Sequence, residues 1–156
     1  MHDETMKTDE LLKILHDMYA NKIPFNKVLG LRIASLDMEN VRIEFDMKEE
    51  FVGNFVHGIL HGGVISAVLD ATGGLIASLG VIQKMEGQPV KAVGKRLSRI
   101  GTIDLRVDYL RPGSGAYFVA TGSIMRAGKK VTVTRMELHN DQDLLIAVGT
   151  GTYIVG

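Results

Sequence analysis

The chain has 156 residues, with 18 acidic and 18 basic side chains and no cysteine. This length is sufficient for one domain with a substantial hydrophobic core. The balanced charge does not indicate a nucleic-acid-binding protein, and the lack of cysteine excludes disulfides and thiolate metal sites. The N-terminal residues do not form a basic segment followed by an apolar one, so we expect a cytoplasmic protein.

The first predicted element is a short amphipathic helix over about residues 8–21. Thr8 is a suitable N-cap for it, and acidic residues follow in the first turn, where they favour the helix dipole. The helix should end before Pro24 and place one face against the body of the protein. The apolar residues of that face are Leu11, Leu12, Leu15, Met18 and Tyr19.

Alternation of apolar and polar residues then predicts strands on both sides of a long apolar segment. Residues 31–36 and 41–47 can pair through a turn at residues 37–40, which predicts a hairpin with one face in water. Residues 83–101 form a polar connection. The strands predicted after it cover residues 103–109, 117–125, 131–139 and 144–155, of which the last is nearly all apolar and should be central in the sheet.

The long apolar segment, residues 62–82, is predicted to be a helix, and it contains a single charged residue. Between Glu50 and Lys84, Asp70 is the only formally charged side chain. A carboxylate in such surroundings requires hydrogen-bonding partners, and it serves either a structural network or a functional site. The residues that share its helical face are all small, namely Gly63, Ser66, Ala67, Gly73, Gly74 and Ala77.

Such small side chains allow a ligand or another backbone to approach the carboxylate closely. A membrane span is the alternative for a segment of this length, but insertion scales penalise a central Asp by roughly 2.5–3.5 kcal/mol. We therefore predict no membrane span. The order of elements predicts an α+β fold in which one long central helix is wrapped by a single antiparallel sheet.

Two separated motifs resemble those of the hotdog-fold thioesterases, in particular the phenylacetic-acid-degradation (PaaI-like) type of acyl-coenzyme A thioesterase. The first motif is Leu60-His61-Gly62-Gly63 followed by Asp70, and the second is the segment 102–112, which ends in Tyr-Leu-Arg-Pro. The family commonly has an Asn six residues before the His, whereas here Asn54 lies one residue further away. The resemblance implies a single hotdog domain over residues 1–156.

The resemblance also implies roles for individual residues. Asp70 would act as general base or nucleophile, and Thr102 beside it would orient the water. Asn54, His61 and Gly62 would hold the thioester carbonyl. The glycines at the helix start, Gly62 and Gly63, suit this role because a helix N-terminus presents free N–H groups that stabilise an oxyanion. Each of these residues also has a purely structural interpretation, such as a helix cap for His61 or a turn for Asn54.

The distance along the helix limits how one site could be built. Asp70 lies about two turns after Gly62, roughly 10–13 Å at 1.5 Å per residue. This is too far for both to act on one thioester from a single helix. The family resolves the problem by pairing two protomers, so the resemblance implies a homodimer or homotetramer with sites shared between protomers.

Other chemistries fit the sequence less well. His57 and His61 have metal-ligand spacing with Asp70 nearby, but the glycines between and after them argue against one continuous helix, so we predict no metal site. Ser66 lacks the strained turn of a serine nucleophile. No cofactor is implied.

Basic residues are in excess in the polar connection and the strand after it, and they could bind coenzyme A phosphates. Arg111 is the first candidate because it lies within the second motif, and Arg126, Lys129 and Lys130 at a predicted hairpin turn are further candidates. The sequence thus predicts an acyl-coenzyme A thioesterase, with a non-catalytic acyl-thioester-binding or sensing protein, and a hotdog dehydratase, as alternatives. It does not predict the acyl group.

Overall fold

In the computed structural model, which describes residues 5–156, one long helix lies across one face of an antiparallel sheet. The α-helices are α1 (Thr8–Asp17), α2 (Pro24–Leu29), α3 (Gly62–Lys84) and α4 (Val90–Leu97). The strands are β1 (Arg32–Leu36), β2 (Val41–Asp46), β3 (Val52–Asn54), β4 (Ile59–Leu60), β5 (Gly101–Tyr109), β6 (Tyr117–Ala127), β7 (Val131–Asn140) and β8 (Leu145–Ile154). The predicted α+β class with a central helix is confirmed, while residues 1–4 of the predicted domain lie outside the described residues.

The main sheet has six strands in the order β1-β2-β6-β7-β8-β5, and all neighbours are antiparallel. The predicted hairpin of β1 and β2 is present. Strand β8 is hydrogen-bonded on both sides, as its apolar sequence predicts. Strands β1 and β5 are the two edges. A separate two-stranded sheet, which the sequence did not predict, joins β3 to β4 just before α3.

The sheet has an inner face that packs on α3 and an outer face in water. In β2, Val41, Ile43 and Phe45 are buried, whereas the alternating residues Arg42 and Asp46 are exposed and Glu44 is partly exposed. This period of two is the pattern expected of a strand with one wet face. The inner-face side chains and α3 together form the main hydrophobic core.

Helix α3 is long and apolar enough to cross a membrane by length and composition alone. However, 78% of its most apolar 18-residue window is buried inside the protein. Its apolar side chains contact the sheet rather than the surroundings, which is the behaviour of a core helix. The buried helix α3 therefore holds the motif around Asp70 in a fixed position on the core.

The N-terminal helix differs from the prediction in its cap. Lys7, rather than Thr8, occupies the N-cap position, and the Lys7 N–H donates to the Glu10 carboxylate at 3.1 Å. The prediction of Thr8 as cap was wrong because Thr8 lies inside the first turn, where its hydroxyl donates to Glu86. The chain then continues as a single π-helical turn, Met18–Lys22, and ends before Pro24 as expected.

Two short helices were absent from the predicted elements. Helix α2 begins with Pro24 and is followed by Gly30 at φ +66°, which is the usual distribution of proline and glycine at helix ends. Helix α4 lies within residues 83–101, so the prediction of a polar connection there was wrong. Val90, Val93 and Leu97 recur at helical spacing and Val93 is buried, a signal that the sequence contained.

Candidate active site

The carboxylate of Asp70 is held by two hydroxyl groups from the sheet. The Thr102 hydroxyl donates to Oδ1 at 2.8 Å, and the Tyr153 hydroxyl lies 3.2 Å from the same oxygen and 3.1 Å from the Asp70 main-chain oxygen. Thr102 and Tyr153 face each other across the β5–β8 pair. Both hydroxyls therefore lie against Oδ1, and within residues 5–156 no group donates a hydrogen bond to the second oxygen, Oδ2.

Sequence reasoning missed Tyr153, which lies 83 residues from Asp70 in a strand that reads as apolar core. Burial, the charge of Asp70 and the hydrogen bond to it raise the pKa of Tyr153, so this residue stays a neutral donor. A Cβ atom at Gly73 would collide with the Tyr153 hydroxyl. Part of the small-residue face of α3 therefore makes room for this side chain rather than for a ligand.

Thr102 reaches Asp70 because of a β-bulge in β5. Strict alternation would place Thr102 on the outer face with Asp104 and Arg106, opposite to Leu105. The pairing with β8 shifts between Thr102 and Asp104, so that Ile103 is the extra residue and is 56% exposed. The bulge brings Thr102 to the inner face, which is a common use of bulges next to active sites.

The N–H groups of the two glycines at the start of α3 differ in their hydrogen bonding. The Gly63 N–H donates to Nδ1 of His61, the N-cap residue, at 2.8 Å. Among the described residues, the Gly62 N–H has no acceptor. Because Nδ1 of His61 accepts, Nε2 carries the proton in the neutral ring. The Gly62 N–H and the His61 Nε2–H are therefore donors that the hydrogen bonds of the described residues leave unused.

The predicted residue Asn54 ends β3, and it organises the loop that leads to β4. Its Oδ1 accepts from the N–H groups of Val56 and His57 at 3.1 and 3.4 Å, and its main-chain oxygen accepts from Gly58. This is a turn role, as the structural interpretation expected. The Asn54 Oδ1 is thus occupied, and only its NH₂ group could donate to a substrate.

The same edge strand contacts both halves of the predicted machinery. At its beginning, β5 supplies Thr102 to Asp70, and at its end the Tyr109 hydroxyl donates to the Gly62 carbonyl at 2.9 Å. Gly62 and Asp70 are separated by about two turns of one continuous α-helix, so the structure keeps them about 12 Å apart. Within one protomer they do not form one site.

The predicted phosphate-binding residues fall into two groups in one protomer. Arg111 follows the end of β5 and donates to the Leu145 carbonyl at 2.9 Å. Arg126, Lys129 and Lys130 lie at the β6–β7 turn, at the opposite end of the sheet.

Two other cations at that opposite end bind main-chain oxygens. Lys84 donates to the carbonyls of Ala127 and Gly128 at 2.8 and 2.9 Å. Arg96 donates to that of Lys129 at 2.7 Å. These two cations stabilise the β6–β7 turn.

One helix across one antiparallel sheet, with a carboxylate on the helix two turns from its glycine start, defines a hotdog-fold protein of the thioester-hydrolysing class. A family model described as "Thioesterase superfamily" matches residues 57–147, more than half of the chain. The chain belongs to the thioesterase superfamily. The predicted family, fold and class of enzyme are thereby confirmed.

Named relatives agree with this membership. The chain is 44% identical over 151 residues to "Medium/long-chain acyl-CoA thioesterase YigI" of Escherichia coli (strain K12). The match covers 97% of each of the two chains. A crystal structure from Shewanella oneidensis, described as related to the thioesterase superfamily, has 46% identity and a TM-score of 0.93, covering 98% of this chain and 100% of that one. A structure from Syntrophus aciditrophicus has 44% identity and a TM-score of 0.84, covering 95% and 97%.

Proposed function

We propose that this protein hydrolyses the thioester bond of medium- and long-chain acyl-coenzyme A molecules, with Asp70 as the base that activates water. The substrate class is supported by the name of the relative from Escherichia coli. The observation that carries the mechanism is the pair of hydroxyl donors, Thr102 and Tyr153, on one oxygen of Asp70. They fix the carboxylate and leave its other oxygen for catalysis.

In the proposed reaction, Asp70 Oδ2 takes a proton from water while the water oxygen bonds to the thioester carbonyl carbon. The oxyanion that forms accepts hydrogen bonds from the partner's Gly62 and the partner's His61. The carbon–sulfur bond then breaks, and the proton held by Asp70 passes to the coenzyme A sulfur. The products are a carboxylic acid and the free thiol, and the Asp70 carboxylate is restored.

The 12 Å separation along α3 is the reason for drawing the oxyanion donors from a partner. Strand β5 is an edge strand, and within residues 5–156 no strand pairs with its outer side. Natural proteins usually cover such edges. A two-fold axis between Leu105 and Arg106 would pair β5 with its copy. Thr102 would then lie beside the partner's Tyr109, which holds the partner's Gly62.

Exposed apolar side chains around this edge support the same pairing. Ile103 and Tyr109 on β5 are 56% and 54% exposed, and Phe55 in the β3–β4 loop is 87% exposed. The small sheet that carries this loop is tied to the start of α3, since the His61 N–H donates to the carbonyl of Phe51, the residue just before β3. Apolar surface gathered around unpaired backbone groups is typical of a subunit interface.

The two groups of basic residues meet in such a dimer. Two-fold pairing of β5 brings the end that carries Arg111 beside the opposite end of the partner's sheet, where the partner's Arg126, the partner's Lys129 and the partner's Lys130 lie. The phosphates of coenzyme A would bind between them. Each proposed site would then have Arg111 from one protomer and the basic residues of the β6–β7 turn from the other.

The test is release of the coenzyme A thiol from a panel of acyl-coenzyme A esters by the wild type and by Asp70→Asn. Asn retains an oxygen acceptor for Thr102 and Tyr153 but cannot take the proton. We expect kcat to fall about 10²–10⁴-fold with an unchanged circular dichroism spectrum. The matched control is Asp104→Asn on the exposed side of β5, which should keep wild-type activity.

Two results would contradict the proposal. Hydrolysis by Asp70→Asn within a few-fold of wild type would remove Asp70 as the base. Saturable binding of acyl-coenzyme A by the wild type without any thiol release would instead indicate the non-catalytic binding protein.

A further inference from the structure

A pocket of about 250 Å³ opens beside Asp70, and two different parts of the chain form its walls. One wall is the central helix with the adjacent ends of β5 and β8. The other is the N-terminal arm, defined here as the π-helical turn with α2, residues 18–29. The lining residues are Tyr19, Ile23, Phe25, Asn26, Ala67, Asp70, Ala71, Gly74, Ile100, Gly101, Thr102 and Tyr153.

The N-terminal arm is fastened in place by its own hydrogen bonds. The buried amide of Asn26 donates to the Tyr19 carbonyl at 3.0 Å, which ties α2 to the π-helical turn. The Tyr19 hydroxyl lies 3.4 Å from Ser78 Oγ on α3. Single π-helical turns are uncommon and are frequent at functional sites. Here the turn directs Tyr19 toward the central helix.

The facing side of α3 is kept small along the pocket. Ala67, Ala71 and Gly74 follow each other at helical spacing, with Asp70 beside them. A Cβ atom at Gly74 would come within 3.2 Å of the Tyr19 hydroxyl. Gly74 and Tyr19 therefore meet closely, and both line the pocket.

The charges of the lining determine which part of a substrate fits. Asp70 is the only charged residue among the lining residues, and no Lys or Arg is present there. Burial raises the pKa of Tyr19, and the charge of Asp70 adds to the effect, so Tyr19 remains neutral. Phosphate groups would be repelled by Asp70, whereas apolar carbon atoms match the rest of the wall.

We infer that this pocket binds the acyl chain of the thioester, and that the N-terminal arm sets the preferred chain length through Tyr19, Ile23 and Phe25. The inference rests on the proposed function. A chain attached to a carbonyl beside Asp70 enters between the arm and the row from Ala67 to Gly74. Gly74 and Tyr19 limit how many methylene groups are taken out of water.

The experiment compares kcat/KM for butanoyl-, octanoyl-, dodecanoyl- and hexadecanoyl-coenzyme A in the wild type and in Ala71→Leu. Each methylene removed from water is worth about 4-fold in kcat/KM, and Leu adds three carbon atoms inside the pocket. We expect a selective loss for the longer esters on the order of 50-fold, with butanoyl-coenzyme A little changed. The control is Ala92→Leu, a partly exposed helical alanine outside the pocket.

A second pair of variants tests the arm at exposed positions, where folding is not at risk. Phe25 on the pocket wall is 57% exposed, and Val28 on the same helix, outside the pocket, is 64% exposed. Phe25→Ala should lower kcat/KM for hexadecanoyl-coenzyme A relative to butanoyl-coenzyme A by about 3-fold or more, while Val28→Ala should leave this ratio at its wild-type value.

An unchanged ratio in Phe25→Ala, or an equal loss for all esters in folded Ala71→Leu, would overturn the inference while leaving the proposed function standing. Failure of the wild type to hydrolyse any ester would instead overturn the proposed function.

Discussion

Complementation between two inactive variants tests whether the site is shared. Gly62 and Asp70 lie on one continuous helix at about 12 Å, whereas donor and base must both lie within about 3 Å of the reacting atoms. We take Asp70→Asn, which removes the base, and Gly62→Val, which covers the free N–H and places carbon near the Tyr109 ring. Each alone should be nearly inactive.

The two variants are unfolded, mixed in equal amounts and refolded together, and thiol release is then measured. With random pairing, half of the dimers contain one copy of each variant. In a mixed dimer, one site collects both substitutions and the other has neither. With independent sites, the mixture should therefore recover roughly a quarter of wild-type activity.

The control mixture combines Asp70→Asn with Thr102→Ala. Because Thr102 donates to Asp70 within one protomer, both substitutions lie in the same half of the site. This mixture should show only the average of its two parents. If the first mixture stays inactive although differently tagged protomers are shown to exchange, the site is not divided between protomers and the pairing proposed through β5 is wrong.

Three further predictions concern the surroundings of Asp70 and the basic residues. The folded state raises the pKa of Tyr153 above its unfolded value of about 10, so its contribution to stability is present below pH 10 and is lost as the pH rises further. In denaturant titrations above pH 10, the free energy of unfolding should therefore decline less steeply with pH in Tyr153→Phe than in the wild type, the two slopes differing by about 1.4 kcal/mol per pH unit. Equal slopes in the two proteins would refute this. Gly73→Ala should lower the free energy of unfolding by about 1–3 kcal/mol, because its Cβ would displace the Tyr153 hydroxyl, and should lower kcat as well. Wild-type stability in this variant would show that the close contact is not maintained in solution. Arg111→Ala should raise KM more for an acyl-coenzyme A than for the corresponding acyl-pantetheine, and equal effects on both esters would exclude phosphate binding as its role.

The sequence predicted the elements whose signal is local. The central helix, the first hairpin and the strands after it follow from hydrophobic period, and Asp70 stood out as one charge in an apolar segment. Helix α4 was missed because its glycine and proline neighbours and many charges suggested a connection, although Val93 and its neighbours kept the helical period. In such short segments a few apolar positions decide between helix and loop.

The partners of Asp70 depended on long-range structure. Tyr153 reads as one more buried residue of an apolar strand, and only the pairing of β5 with β8 places its hydroxyl on the carboxylate. Thr102 was predicted from the family resemblance alone. Simple alternation along β5 would direct its side chain away from α3. Neither strand register nor a bulge can be read from the period of one strand alone.

The bulge in β5 also makes the edge strand tolerant to a change in length at one point. Ile103 is the extra residue, so a chain lacking it would join Thr102 directly to Asp104 and restore strict alternation, with Thr102 still directed toward Asp70. Loss of a residue between Leu105 and Tyr109 would instead turn every earlier side chain of the strand to the opposite face. Thioesterases of this type that differ by one residue in β5 should therefore carry the deletion at Ile103, on the strand's exposed side, where the geometry of the carboxylate is unaffected.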